Sequence, residues 1–456
     1  MLCQGWLHPA SICRMHCLSD SRCDSAFNAV EMEGSLRGRE ANSHWFNLFN
    51  AVASQAAMGA PIILLANSLH ASSLFLGIIT ALSPLGTMLQ LPTARLLHVS
   101  EYRTTFFVGW LLRTVFIFLV ALLPLLPFLD PAAKRGTLLA VLVTFNVLRG
   151  IATAAWWPWI AELIPEERRA RFLARDQLFT YIGGVFALAA YGAVMSENSS
   201  ATEFARTFLV GGICGVVSLG FLKRMPNPPA SRRAREPGAP VNWREVLAKR
   251  SFTQLIGLNV LLLLVIGSLN VFAIQFLRDV CDFSAESILY LSAVMFLGPL
   301  LTLHFLGNWT DRRGPGLPLL GVLGTYGIVV TGWLLIALGV LPCAPGLIAV
   351  LQVLAGTASA AFNVANMHLA LKVIPEVGRN RLLALFTVVT SLSLAGAPVL
   401  FGWLLDAIGN RHFVFAGQVF QRHAVYFGIL FLLVGIAFAV AVFWLPDRSG
   451  RERNGL

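Results

Sequence analysis

The chain has 456 residues, 56% of them apolar and only 12% charged, with a net charge of +11 and a mean hydropathy of +0.71. A soluble domain carries about twice that share of charge. The composition therefore excludes a soluble enzyme, a disordered chain and a disulfide-stapled secreted domain, and it points to a polytopic membrane protein.

Residues 1–44 hold four of the seven cysteines (Cys3, Cys13, Cys17, Cys23), with His8 and His16 among them. Their spacing fits no zinc pattern, and no metal site is expected anywhere in the chain. The stretch also lacks the apolar core of a secretory signal. It is expected either to be a disordered cytoplasmic tail or, as the sequence favours, to precede a true start at Met32. The seven cysteines as a set suggest no disulfide framework.

A bilayer core of about 30 Å takes roughly 20 apolar residues as helix. Only helices or closed barrels satisfy every backbone group in lipid, and the apolar runs here are too long for barrel strands. They predict twelve spans, at 45–69, 73–95, 104–127, 136–161, 176–196, 204–223, 252–277, 286–306, 317–340, 345–371, 382–405 and 424–445. Between the sixth and seventh lies a polar stretch, 224–250, with five prolines and a run of cations. It divides the chain into a six-helix bundle at 45–223 and another at 251–446, followed by a short cytoplasmic tail at 447–456. Trp243-Arg-Glu-Val-Leu inside the linker suggests a short interfacial helix.

The loops after even-numbered spans carry 17 Lys and Arg, against 5 in the loops after odd-numbered ones. Cationic loops resist translocation, so the even loops and both termini are expected in the cytoplasm. Cations placed this way mark topology rather than a nucleic-acid surface, and no nucleic-acid partner is expected.

The halves repeat. Residues 163–171 read Leu-Ile-Pro-Glu-Glu-Arg-Arg-Ala-Arg, and residues 373–381 read Val-Ile-Pro-Glu-Val-Gly-Arg-Asn-Arg. One offset aligns Pro165 with Pro375, Glu166 with Glu376, Arg169 with Arg379 and Arg171 with Arg381, each copy following the fourth span of its half. The same offset pairs Glu101-Tyr-Arg103 with Asp311-Arg-Arg313, both after second spans. Repeated halves are how many transporters build two rocking bundles around a midplane site.

The loop after span 8 reads Gly307-Asn-Trp-Thr-Asp311-Arg312-Arg313-Gly314. With twelve spans and a long central linker, this loop resembles the major facilitator superfamily, whose signature is Gly-x-x-x-Asp-Arg/Lys-x-Gly. Pro315 stands where a basic residue often follows. The first-half loop, Leu97 to Arg103, lacks both glycines of the signature. Trp156-Trp-Pro-Trp159-Ile-Ala-Glu162-Leu-Ile-Pro165-Glu166-Glu-Arg-Arg169-Ala-Arg171 resembles a poorly characterised prokaryotic branch of that superfamily, with Ala170 in place of the branch's glycine. The resemblance implies an all-α membrane protein of twelve transmembrane helices in two pseudo-symmetric bundles. It also implies a cavity lined by the first and fourth spans of each half.

A carboxylate at a cytoplasmic helix end can accept hydrogen bonds from a partner helix N-terminus and from Arg. Gly307, Asp311, Arg312, Arg313 and Gly314, with Glu166, Arg169, Arg171, Glu376, Arg379 and Arg381, are therefore candidates for gating. Asp311 is expected to face the start of span 5 near Arg171 and Arg175. The alternative is that these cations only set orientation.

Charge inside a membrane is costly and usually functional. The reading places two cations well inside spans, Arg113 and Arg149, and no Asp or Glu. Asn146, Arg149, Thr153 and Trp156 or Trp157 form one stripe of span 4. Arg149 is the candidate contact for an anionic solute, whereas Arg113 reads as structural. Asn47, Asn50 and Ser54 in span 1, Asn259 and Asn270 in span 7, and Ser359, Asn363 and Asn366 in span 10 form further stripes. Each is equally able to join helices by hydrogen bonds.

No metalloprotease, nucleophile-elbow or phosphate-loop motif occurs, so no enzyme activity, catalytic residue or cofactor is expected. The reading is a secondary transporter in a bacterial inner membrane, moving a small polar or anionic solute by alternating access. A monomer in the lipid bilayer is expected, with a proton as candidate coupling ion or a coupling group near a helix end. The competing readings are a lipid or drug exporter of the same fold and a non-transporting sensor.

Overall fold

The computed structural model describes residues 21–97, 101–197, 199–227, 250–302, 316–374, 379–409, 413–415 and 418–444. Twelve helices in it are long and apolar enough to cross a membrane. Spans 1 to 6 are Gly38–Ser68, Ser73–Ala94, Tyr102–Leu125, Pro131–Leu163, Arg171–Val194 and Ala201–Lys223. Spans 7 to 12 are Phe252–Asp279, Ala285–Thr302, Gly316–Ala337, Pro345–Val373, Leu382–Ile408 and Arg422–Phe443. The helix carrying span 1 begins at Ser21, where Ala, Glu, Met, Leu and Arg favour helix, so part of the tail read as disordered is helical. The expected interfacial helix at Trp243 lies outside the described residues.

Successive spans run in opposite directions, so the even-numbered ones start at the end away from the chain termini, which is called the outer end by the expected topology. Their caps are written into the sequence. Ser72, Asp130, Ser200 and Ser284 each accept a backbone N–H three residues on, opening spans 2, 4, 6 and 8. Ser200 and Glu203 form a reciprocal capping box. Such caps satisfy donors that lipid cannot. Between spans 11 and 12 a small antiparallel hairpin pairs Phe413–Phe415 with Gln418–Phe420, which the sequence reading did not anticipate.

The two halves repeat their packing helix for helix. Span 1 packs on 5 and 6, span 3 on 4 and 6, and span 2 on 4. In the second half span 7 packs on 11 and 12, span 9 on 10 and 12, and span 8 on 10. The repeat extends to single contacts. A Cβ on Gly150 of span 4 would overlap the Gly86 carbonyl oxygen of span 2, and one on Gly356 of span 10 would overlap the Met295 carbonyl oxygen of span 8. Small residues let backbones approach closely where lipid supplies no hydrophobic drive between helices.

Candidate functional site

The halves meet along two seams, span 2 against span 11 and span 5 against span 8. Each seam maps onto the other when the halves are exchanged, as a two-fold axis requires. At the outer end of the first seam the Asp406 carboxylate of span 11 accepts backbone N–H groups from Ser73, at 2.9 Å, and Leu74, at 2.8 Å. These are free donors at the start of span 2, where the helix dipole also favours an anion. Gln275 of span 7 donates to Ser73 Oγ at 3.0 Å. Asn67 of span 1 donates to Asp279 of span 7 at 3.1 Å, and Arg422 pairs with the same carboxylate at 3.3 Å.

Below this polar rim the backbones touch. A Cβ on Gly77 would overlap the Pro398 carbonyl oxygen, and one on Gly402 the Ser73 carbonyl oxygen. Thr87 and Ser391 hydroxyls lie 3.2 Å apart further along. In the second seam Gly184 and Gly192 face the rings of Phe296 and Tyr290. A cavity of about 930 Å³ opens at the outer end above the rim, bordered by Asn67, His70, Gln275, Asp279, Asp406 and Arg422.

The span-4 stripe lies against span 2. Arg149 is half-buried and donates to the Ser83 carbonyl at 3.3 Å and hydroxyl at 3.2 Å. Asn146 is buried and donates to its own helix at Leu142, and Thr153 bonds the Arg149 carbonyl. Trp156 stacks on Phe106 and meets Phe46, while Trp159 is fully buried and donates to the Pro226 carbonyl. Trp157 is exposed.

The other stripe residues divide. Asn50 accepts from Trp110 Nε1 at 2.9 Å and from Arg113 at 2.6 Å, and the Arg113 guanidinium lies over the Trp110 ring. Arg113 is thus held inside the first bundle. Asn259 donates to Asn366 across spans 7 and 10, and Ser359 pairs with the Tyr326 hydroxyl. Asn270 and Asn363 are exposed, and Ser54 is half-buried. Glu166 and Arg171 are exposed at the start of span 5, and Arg169 donates to the Ala161 carbonyl at the end of span 4. Gly307, Asp311, Arg312, Arg313, Gly314 and Glu376 lie outside the described residues, as do the side chains of Arg379 and Arg381.

One cluster escaped the sequence reading. Asp176 of span 5 is buried, and its carboxylate bonds His44 Nδ1 at 2.5 Å, Asn47 Nδ2 at 2.7 Å and Ser43 Oγ at 3.2 Å, all from span 1. The imidazole is stacked between Phe172 and Phe179. Sequence reading began span 5 at residue 176 and span 1 at 45, which set both groups at loop edges. In the structure the helices start at least five residues earlier, and the pair sits within them. Asp406 was missed for the same reason, one residue beyond the predicted end of span 11.

The model of the Major Facilitator Superfamily matches residues 45–341, more than half the chain. The chain belongs to that superfamily. Among curated proteins no sequence relative matches. Similar solved structures include a D-xylose–proton symporter, at 15% identity and a TM-score of 0.66, covering 92% of this chain and 99% of that one. A nucleoside transporter matches at 12% identity and 0.65, covering 89% and 99%. A POT family transporter solved with 5-aminolevulinic acid matches at 13% and 0.62, covering 88% and 94%. At these identities the likeness is one of fold. This superfamily member is a multi-pass membrane transporter of small molecules, not an enzyme.

Proposed function

We propose that this superfamily member moves a small polar or anionic solute by alternating access, with the outer seal just described as one of its two end states. The observation that carries the reading is the make-up of that seal. The halves are joined at the outer end by hydrogen bonds that Asp406 accepts and that Gln275 and Asn67 donate, all of which water can replace when the halves part. A permanent interface would instead bury apolar side chains there. Two seams related by the pseudo-dyad allow the halves to tilt as bodies.

Arg149 is the contact proposed for the solute, with Asn146, Thr153 and Trp157 beside it and Asn47, Ser54, Asn270 and Asn363 on the other cavity helices. Its guanidinium is bound only to the neutral groups of Ser83 among the described contacts, so it keeps donors for an anion. The His44–Asp176 pair is the group proposed to serve a coupling proton, a buried carboxylate and imidazole in hydrogen-bond contact between spans 1 and 5. The loop set around Asp311, Arg171 and Arg381 is proposed to close the opposite end. The protein is proposed to act as a monomer in a bacterial inner membrane, with both termini in the cytoplasm.

The test is a thermal-shift screen of purified protein with sugars, nucleosides, organic anions and peptides, with Arg149→Ala alongside. We expect an anion to raise the Tm of the parent and to lose at least tenfold in affinity in the variant. Equal binding to both proteins would remove Arg149 from the site. A complementary measurement is the labelling rate of a cysteine placed at Thr87, which should rise from the outer face in Asp406→Asn. No change would mean that the outer rim is not a gate.

A further inference from the structure

Two of the chain's seven cysteines meet at the outer end of the second half. Cys281 follows the last turn of span 7, and Cys343 precedes span 10 in the loop from span 9. They are joined as a disulfide with Cα atoms 6.0 Å apart, across 62 residues of sequence. That separation lies inside the range a disulfide spans without moving backbone.

Both turns are built to hold the sulfurs in place. After span 7 the Cys281 N–H bonds back to the Phe276 carbonyl and the Phe283 N–H to Leu277. Arg278 donates to the Phe283 carbonyl at 3.0 Å, and Asp282 between them takes a left-handed backbone with φ 54°. After span 9 the Val340 and Leu341 N–H groups both return to Leu335, and Gly339 takes φ 72°. Cys281, Phe283, Leu341 and Cys343 are partly buried and pack on the main core. Cys214 of span 6 is unpaired.

We propose that Cys281 and Cys343 are oxidised in the mature protein by disulfide exchange on the membrane face away from the termini, and that the bond is a staple for the outer seal. In the exchange one thiolate attacks a disulfide donor, protein or small molecule, to form a mixed disulfide. The second thiolate then displaces the donor. Two electrons and, overall, two protons pass to the donor, which leaves as two thiols. Such bonds persist in oxidising compartments and are rare in the cytosol. The assignment therefore sets the loops after spans 7 and 9 in an oxidising compartment, independently of the charge count in the loops. It does not rest on the solute or on Arg149.

The position of the staple gives it a mechanical consequence. Asp279, two residues before Cys281, receives Asn67 of the other half and Arg422 of span 12. Gln275, one turn earlier, donates to Ser73 of the other half. Tying the end of span 7 to the span 9–10 turn holds these two groups in register for the first half to close on.

The test begins with the full wild-type chain isolated from membranes, alkylated without reductant and digested. We expect a Cys281–Cys343 linked peptide that disappears on reduction. Singly alkylated peptides for both residues, or a species linking two copies of the chain, would overturn the proposal. The second measurement is thermal unfolding with and without reductant. We expect reductant to lower the Tm of the wild type by several degrees and to leave Cys281→Ser/Cys343→Ser unchanged, with the variant starting from the lower value. Equal Tm values for wild type and double variant would overturn the staple, even with the linked peptide present. Ligand stabilisation in the earlier screen is read separately, so that either proposal can fail while the other stands.

Discussion

The two halves of the molecule repeat one helix packing and fill it with different chemistry. The first half buries charge. Arg113 is 1% exposed, and Asp176 and His44 are 7% exposed each. Both Arg113 and Asp176 are met by side chains of span 1, Arg113 by Asn50 and Asp176 by Ser43, His44 and Asn47. The second half uses neutral pairs between its helices, Asn259 of span 7 with Asn366 of span 10, Tyr326 of span 9 with Ser359 of span 10 and Tyr426 of span 12 with Ser268 of span 7, and adds the staple at its outer end. The repeat thus constrains where backbones touch, at Gly150 and Gly356, and leaves the polar interior free to diverge. A buried ion is costly unless its partners are in place, so the first half has the more demanding interior and the chemistry that can respond to an ion. The second half resembles a stiffer frame.

The difference can be broken by experiment. The largest effect is expected for Asp176→Ala. It strands the Ser43, His44 and Asn47 groups in a buried site and should cost about 3–5 kcal/mol, read as lost folded yield and a fall in Tm. A loss no greater than that of a surface substitution would erase the contrast between the halves. Next comes Asn50→Ala, which removes the acceptor shared by Arg113 and Trp110. A buried charge losing its hydrogen bond should cost roughly 1.5–3 kcal/mol, and Asn50→Asp should recover more of the Tm than Asn50→Leu. The smallest effect is expected in the second half. Asn366→Ala removes one interhelical bond, and Asn259 keeps its bond to the Leu255 carbonyl. Such bonds average about 0.6 kcal/mol in membrane proteins, so a change in Tm near the limit of measurement is expected. If Asn366→Ala proves as harmful as Asn50→Ala, neutral pairing and charge burial are equally demanding here.

Much of the fold was legible because its signals are local. Apolar length marks each span, and the repeated Pro165 and Pro375 loops mark the duplication. The site was less legible. Asn50 has the spacing of a cavity residue, yet its side chain is occupied by Trp110 and Arg113. Trp156 and Trp157 are neighbours in sequence, yet one enters an aromatic cluster and the other is exposed, since one residue turns a helix by about 100°. Asp176 and Asp406 were set at span ends, where hydropathy windows lose resolution and where polar groups are normally wet.

The amino-acid sequence by itself determined the number of spans, their alternation, the division into two halves and the superfamily. The spans and their alternation follow from how many consecutive residues can satisfy their backbone in lipid and from which loops carry charge. The halves follow from the polar linker and the repeated loops, and the superfamily from the resemblance carried by the Gly307–Gly314 loop. The tertiary structure alone decided the partners. His44 meets Asp176 across 132 positions and Ser73 meets Asp406 across 333, and Cys281 finds Cys343 in a turn two helices away. Hydrogen bonds and disulfides act over a few ångströms, and which groups come that close depends on how whole helices settle against one another.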